Sequence, residues 1–247
     1  MKYFAKIKYL GTDFHGFQIQ PDKRTVQGEL SRAFFEYFGS QTKITGCSRT
    51  DAGVHANAFC ITVENDNATT PPDKLPIAIA RFLPSDLALF YAEEADADFH
   101  VRYDAKSKEY LYIIRNERVS DPFYHGRSWL LTRIITDGAF SKMLLAKDYF
   151  LGEHDFSAFM SEGSSVSDTV RTVYDLKIER EGSLIKFRIR ANGFLYNMVR
   201  IIVGTLVEVA CGRIQPEEIE SIILSRDRFR AGPTAPPEGL YLDLVEY

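Results

Sequence analysis

Lys186, Arg188 and Arg190 alternate with Phe187, Ile189 and Ala191. A period of two leaves that segment one regular conformation, a strand with a basic face and an apolar face. Lys6 and Lys8 alternate with Ala5, Ile7 and Tyr9 in the same way. Strands covered on one side belong to antiparallel sheets, whose second face meets solvent or a ligand. The basic faces therefore have two readings, a solvated outer surface or a surface that faces phosphates. Further strands are expected over residues 3–10, 59–64, 86–91, 110–115, 173–180, 184–191 and 240–245. Between the first two lies 25–39, where Val26, Leu30, Ala33, Phe34 and Phe38 follow helical spacing behind Thr25 as N-cap. Helical patterns recur over 75–82, 139–150, 196–211 and 216–224, with turn-rich or polar stretches at 65–72, 161–168 and 232–239. Strands separated by single helices, several joined as hairpins, predict an α+β fold with mixed, largely antiparallel sheets flanked by helices. The order strand, helix, strand appears in each half. Two similar sub-domains are expected, 1–104 and 105–247, meeting near residues 102–108.

The 247 residues are 45% hydrophobic and 26% charged, enough to bury about 73% of the unfolded surface. No apolar run approaches the roughly 20 residues of a membrane span. Lys2 and Lys6 stand too close together for a signal-peptide core. Cys47, Cys60 and Cys211 are odd in number and unclustered, which disfavours a disulfide framework and a zinc site and fits a reducing cytoplasm. The formal net charge is -4. Residues 1–104 carry 11 basic and 14 acidic side chains, and 105–247 carry 19 and 20. Acids cluster at Glu93, Glu94, Asp96 and Asp98. The total argues mildly against a nucleic-acid partner, but the distribution of charge says more.

The string Gly46-Cys47-Ser48-Arg49-Thr50-Asp51-Ala52-Gly53-Val54-His55-Ala56 packs two glycines, a cation, a carboxylate and an imidazole into eleven residues. Glycines let a loop lie close to a ligand. The same string also suits a turn in which Ser48 or Asp51 bonds nearby amides. Arg200 adds weight to the first reading. Between Asn192 and Gly212 the only charged residues are Arg200 and Glu208. A guanidinium on so apolar a helix is expected to be substantially buried and to need a partner. Glu208, eight positions on, is poorly placed to pair along the helix, so a carboxylate from elsewhere is required. Asp51 is one of a few candidates, and a purely structural ion pair is the alternative.

Three other constellations are weaker. Asp51 and His55 could serve Cys47 or Ser48 as a hydrolase, but no nucleophile elbow or oxyanion hole accompanies them. Glu153-His154-Asp155 offers adjacent residues that do not face one ion, without a second cluster. No Gly-rich phosphate loop is present. Metal and nucleotide cofactors are disfavoured.

Along nearly its whole length the chain resembles the bacterial tRNA pseudouridine synthase A family. The string from Gly46 to Ala56 is similar to that family's catalytic motif, with Asp51 at the nucleophile position. Four further blocks follow the family's order. They are Gly11-Thr12-Asp13-Phe14-His15-Gly16-Phe17-Gln18-Ile19-Gln20; Phe99-His100-Val101-Arg102 with Lys108-Glu109-Tyr110-Leu111-Tyr112; His154-Asp155-Phe156 with Arg171-Thr172; and Gly193-Phe194-Leu195-Tyr196-Asn197-Met198-Val199-Arg200 with Gly239-Leu240-Tyr241-Leu242. Phe17 departs from the family's usual Trp, and Ala80 stands where Asn is common. The resemblance implies isomerisation of uridine to pseudouridine in the tRNA anticodon stem-loop, by a homodimer without cofactor or metal; the cysteine usage points to the cytoplasm, and no membrane partner is expected. The resemblance also implies a basic cleft between the two halves, with catalytic Asp51, Arg200 and Tyr110. Tyr110 would stack on the target base, Leu240 would close the uracil pocket, and Arg49 would fill the space of a flipped nucleotide. Lys186, Arg188 and Arg190 are candidate RNA contacts.

Overall fold

A computed structural model describes residues 1–163 and 166–247. It divides into two compact units, Met1–Lys106 with Tyr241–Tyr247, and Ser107–Leu240. Of the polar loop expected over 161–168, residues 164 and 165 lie outside the described residues. Each unit is α+β, with a mostly antiparallel sheet and flanking helices.

In the first unit β1 (Lys2–Tyr9) pairs antiparallel with β3 (His55–Glu64) and, on its other edge, with β4 (Leu87–Glu94). The short β2 (Lys43–Gly46) also runs antiparallel to β3. The closing strand β10 (Leu240–Glu246) meets β3 in parallel, Tyr241 opposite His55 and Leu242 opposite Ala56. β1 turns Tyr3, Ala5, Ile7 and Tyr9 inward, as its period predicted, and Phe4 is buried on the other face. Helix α1 (Val26–Phe38) buries Val26, Leu30, Ala33 and Phe34. The Thr25 hydroxyl accepts the Gly28 amide at 3.2 Å, and Gly39 ends the helix in the left-handed region. A short α2 (Leu75–Ala80) precedes β4.

The second unit is built on β5 (Ser107–Arg115), β9 (Leu184–Ala191), β8 (Val170–Glu181) and β7 (Gly152–Asp155), antiparallel in that spatial order. A two-residue β6 (Trp129–Leu130) adds to β5 in parallel. In β9, Ile185, Phe187, Ile189 and Ala191 are fully buried while Lys186, Arg188 and Arg190 are partly open. α3 (Asp137–Ala146) is continued to Phe150 by a 3₁₀ turn. α4 (Met198–Ala210) is buried around nearly its whole circumference, and α5 (Glu218–Ser225) follows it. The reason is close backbone packing. A Cβ on Gly204 would fall 1.8 Å from the Pro233 carbonyl oxygen, so the 232–235 segment lies directly on the helix.

Thr25→Ala removes the only side-chain cap on α1 while leaving its apolar stripe intact. Stability should fall by about 1 kcal/mol, read as a lower urea midpoint at unchanged m-value. An unchanged midpoint would show that water replaces the hydroxyl at no cost.

Candidate active site

The Asp51 loop joins the end of β2 to the start of β3, and a second loop holds it in place. The chain leaving β1 folds over it. The Gly11 amide donates to His55 Nδ1 at 2.8 Å, the Gly53 amide to the Phe14 carbonyl at 3.2 Å, and the Phe17 amide to the Thr50 carbonyl at 3.1 Å. Tyr9 and Thr50 hydroxyls meet at 2.8 Å. Contact this close requires glycine. A Cβ on Gly11 would sit 2.0 Å from the Val54 carbonyl oxygen, and one on Gly16, at φ +86, 2.4 Å from that of Thr50. Gly53 itself has φ +79. Within the loop, the Val54 amide donates to the Asp51 carbonyl at 3.2 Å, closing a tight turn that leaves the Asp51 side chain half-buried.

That framework separates the residues the sequence placed side by side. His55 is fully buried, stacked on Tyr241 at 4.5 Å, with its Nδ1 lone pair engaged by Gly11. Cys47 is likewise fully buried. Neither is available as the base or nucleophile of a hydrolase. Arg49 is exposed, and among the described residues it makes no ion pair. Phe17 belongs to the core. It stacks on Phe59 at 4.4 Å and lies so close to Gly46 that a Cβ there would meet its ring at 2.5 Å.

In the second unit, Arg200 is half-buried in the first turn of α4. Its Nε donates to the Ala235 carbonyl and its terminal nitrogen to Asn197 Oδ1, both at 2.7 Å. Ala235 returns its amide to the Arg200 carbonyl at 3.1 Å. Asn197 sits in the left-handed region at φ 61 and also donates its amide to the Ser161 hydroxyl at 2.9 Å. Both bonds from Arg200 orient the guanidinium. Tyr112 buttresses the same segment. Its hydroxyl donates to the Pro236 carbonyl at 2.7 Å, and its ring lies against Gly239. Burial pushes the Tyr112 phenol well above its ordinary value; Glu238 adds to this and the Arg200 charge opposes it. Tyr112 stays neutral and structural.

Tyr110 lies on β5 opposite Ile189, 7% exposed, with Phe194 edge-on at 5.1 Å. Leu240, equally covered, follows the turn at Gly239. The basic face of β9 is interleaved with acids: Lys186 pairs with Glu181 at 2.6 Å, and Arg188 approaches Glu109 at 3.6 Å. Glu153, His154 and Asp155 lie along β7 with separate duties. His154 bonds the Leu151 carbonyl, and Asp155 takes Thr169, the Ser157 amide and Arg226. Among the described residues no group of three or more such side chains could hold a metal ion, and no helix is long and apolar enough to cross a membrane.

Asn197 and Tyr112 were not singled out from sequence. For Asn197 a signal existed, since Asn tolerates the left-handed conformation and stands directly before an apolar helix.

A family model described as tRNA pseudouridine synthase matches residues 5–104 and 146–247. A tRNA pseudouridine synthase A of Acetivibrio thermocellus is 46% identical over 241 residues, 98% of this chain and 97% of that one. Relatives of the same name from a Thermoanaerobacter species and from Brevibacillus brevis are 44% and 45% identical over the same shares.

Gly11→Ala tests the clasp. The methyl must push the two loops apart, costing about 1–3 kcal/mol by overpacking. Faster hydrogen exchange at the Gly53 and Val54 amides should accompany the loss. Unchanged stability and exchange would show that the loops are not interlocked.

Proposed function

The chain belongs to the tRNA pseudouridine synthase family, and from that membership we propose that it forms pseudouridine in the anticodon stem-loop, with Asp51 as the catalytic carboxylate. Its general activity is isomerisation of uridine in tRNA. The observation that supports the finer reading is the clasped loop, which holds a half-buried carboxylate on a rigid, glycine-closed turn.

The chemistry suits such a group. Isomerisation breaks the bond between uracil N1 and the ribose anomeric carbon and forms one from uracil C5 to that carbon. C5 loses a proton and N1 gains one, so atoms and electrons balance without an oxidant or reductant, and no cofactor is proposed. What the site must supply is a nucleophile against the sugar or base and a pocket that keeps the detached uracil. Asp51 takes the first role. Arg200 is the cationic member of the catalytic set. Tyr110 stacks on the target base and assists proton transfer at its carbon, and Leu240 closes the uracil pocket. Arg49, exposed and without an ion pair among the described residues, fills the gap left by the flipped nucleotide. Lys186, Arg188 and Arg190 contact phosphates, and the working form is a cytoplasmic homodimer.

Asp51→Asn keeps the size of the side chain and removes its charge. Turnover of tRNA uridine should fall at least about 10⁴-fold, over roughly 5 kcal/mol of transition-state stabilisation, with tRNA affinity nearly unchanged. Near-parental turnover would make Asp51 structural. Arg200→Lys should also slow turnover, because an ammonium cannot reproduce the planar fork that reaches the Ala235 carbonyl and Asn197 Oδ1 together; melting measured alongside separates this from unfolding.

Arg188→Glu and Arg190→Glu examine the β9 face. If about six phosphates are neutralised, affinity for tRNA falls roughly a thousandfold between 50 and 200 mM salt. Each reversal should weaken binding and flatten that dependence. Unchanged binding would return the face to solvent.

A further inference from the structure

Lys6 and Lys8 lie on the face of β1 opposite its buried row, and among the described residues neither makes an ion pair. Nearby cations of the same unit are satisfied. Lys2 donates to the Ala97 and Phe99 carbonyls, Lys43 pairs with Glu64, and Arg24 pairs with Asp86. Lys6 and Lys8 instead rest on aromatic rings. Lys6 is 5.3 Å from the centre of Tyr91 and 5.9 Å from that of Phe4, and Lys8 is 4.4 Å from that of Phe90.

The sheet is shaped to present those rings. β4 is its edge strand, and its register against β1 slips between Lys6, opposite Tyr91, and Ile7, opposite Leu89. Phe90 is the extra residue. Without the slip, Phe90 and Tyr91 would point to opposite faces; with it, both come to the outer face, 41% and 40% exposed. A bare edge with two exposed rings invites aggregation, yet here each ring carries a cation. Two phosphate-seeking charges, about 7 Å apart along the strand, thus alternate with two stacking surfaces. The acids Glu93 and Glu94 stand beyond Tyr91, at the end of β4 away from Lys8, and Glu93 accepts the Tyr91 hydroxyl at 2.6 Å. In the other direction β1 runs from Lys8 into the Gly11 loop that clasps the Asp51 turn.

We propose that Lys6, Lys8, Phe90 and Tyr91 form an RNA platform, the lysines meeting phosphates and the rings stacking on unpaired bases of the strand that delivers the target uridine. This rests on the reading of the substrate as tRNA. The platform acts by positioning and takes no part in the chemistry.

The test is binding of unmodified tRNA to the full chain across 50–200 mM salt, with sedimentation of the free protein. Lys8→Gln should weaken binding and reduce the steepness of log affinity against log salt by about 0.7–0.9, one phosphate contact. Phe90→Ala should weaken binding about tenfold at unchanged steepness, as loss of one stacking surface does. Lys43→Gln removes the same charge from a lysine already paired with Glu64 and should leave the steepness as it was. Parental steepness in Lys8→Gln, or an equal drop in Lys43→Gln, overturns the platform. So does a Phe90→Ala protein that binds tRNA normally but changes its oligomeric state, which would make the face a contact between copies. If the parent isomerises tRNA and the variants bind as it does, only the platform fails. If Lys8→Gln and Phe90→Ala behave as expected but the parent never isomerises tRNA, only the catalytic reading fails. A parent that does not bind tRNA overturns both.

Discussion

Everything in the first unit depends on how closely two loops approach. The Gly11 backbone lies against the Val54 carbonyl, at a separation no side chain permits, and its amide is bonded to the buried ring of His55. This fixes three things together. It anchors the start of β3, it closes the loop after β1, and it leaves the Asp51 turn no room to relax. A carboxylate on a free loop would sample many rotamers, each an entropic cost to reach a reactive geometry. Here the backbone on either side of it is tied to the second loop, Thr50 to Phe17 and Gly53 to Phe14. His55, which by composition could be a catalytic base, is consumed in building that restraint.

The second unit solves a different problem, how to carry a guanidinium on a helix with almost no polar surface. α4 could not bury Arg200 against its own side chains, since Met198, Val199, Ile201 and Ile202 offer nothing to bond. The solution lies in backbone. The 232–235 segment runs across Gly204 closely enough to bring the Ala235 carbonyl to Arg200, and Asn197 adopts a left-handed conformation to add its side-chain oxygen. Tyr112, buried and neutral, holds the next turn of the same segment through Pro236. Carbonyl and amide acceptors direct the group.

Local patterns were legible in the sequence, and long-range ones were not. The period-two alternation at Leu184–Ala191 and the Thr25 cap with its apolar stripe are properties of a few neighbouring residues, so they survive into the structure nearly unchanged. β2 and β7 are four residues each and mostly polar or exposed, without an alternation to read. The parallel pairing of β10 with β3 is set by partners far apart in the sequence, Tyr241 with His55 and Leu242 with Ala56, and no local signal encodes it. Within the site, the Gly46–Ala56 string and the lone Arg200 stood out by composition alone. Their mounts did not, because a clasp made of main-chain amides and carbonyls leaves only glycines behind as a trace. Phe17 shows the same limit: from sequence it was a departure from the family's Trp, and only packing reveals it as core beneath Gly46. The bulge at Phe90 was invisible for a related reason, since it exists only as a mismatch between two strands.

The most direct test of the account is a map of pseudouridine in unmodified tRNA after incubation with the purified full chain and no added cofactor. Conversion confined to uridines of the anticodon stem-loop is the predicted result. Intact uridine throughout, or conversion only in other regions of the tRNA, would contradict it.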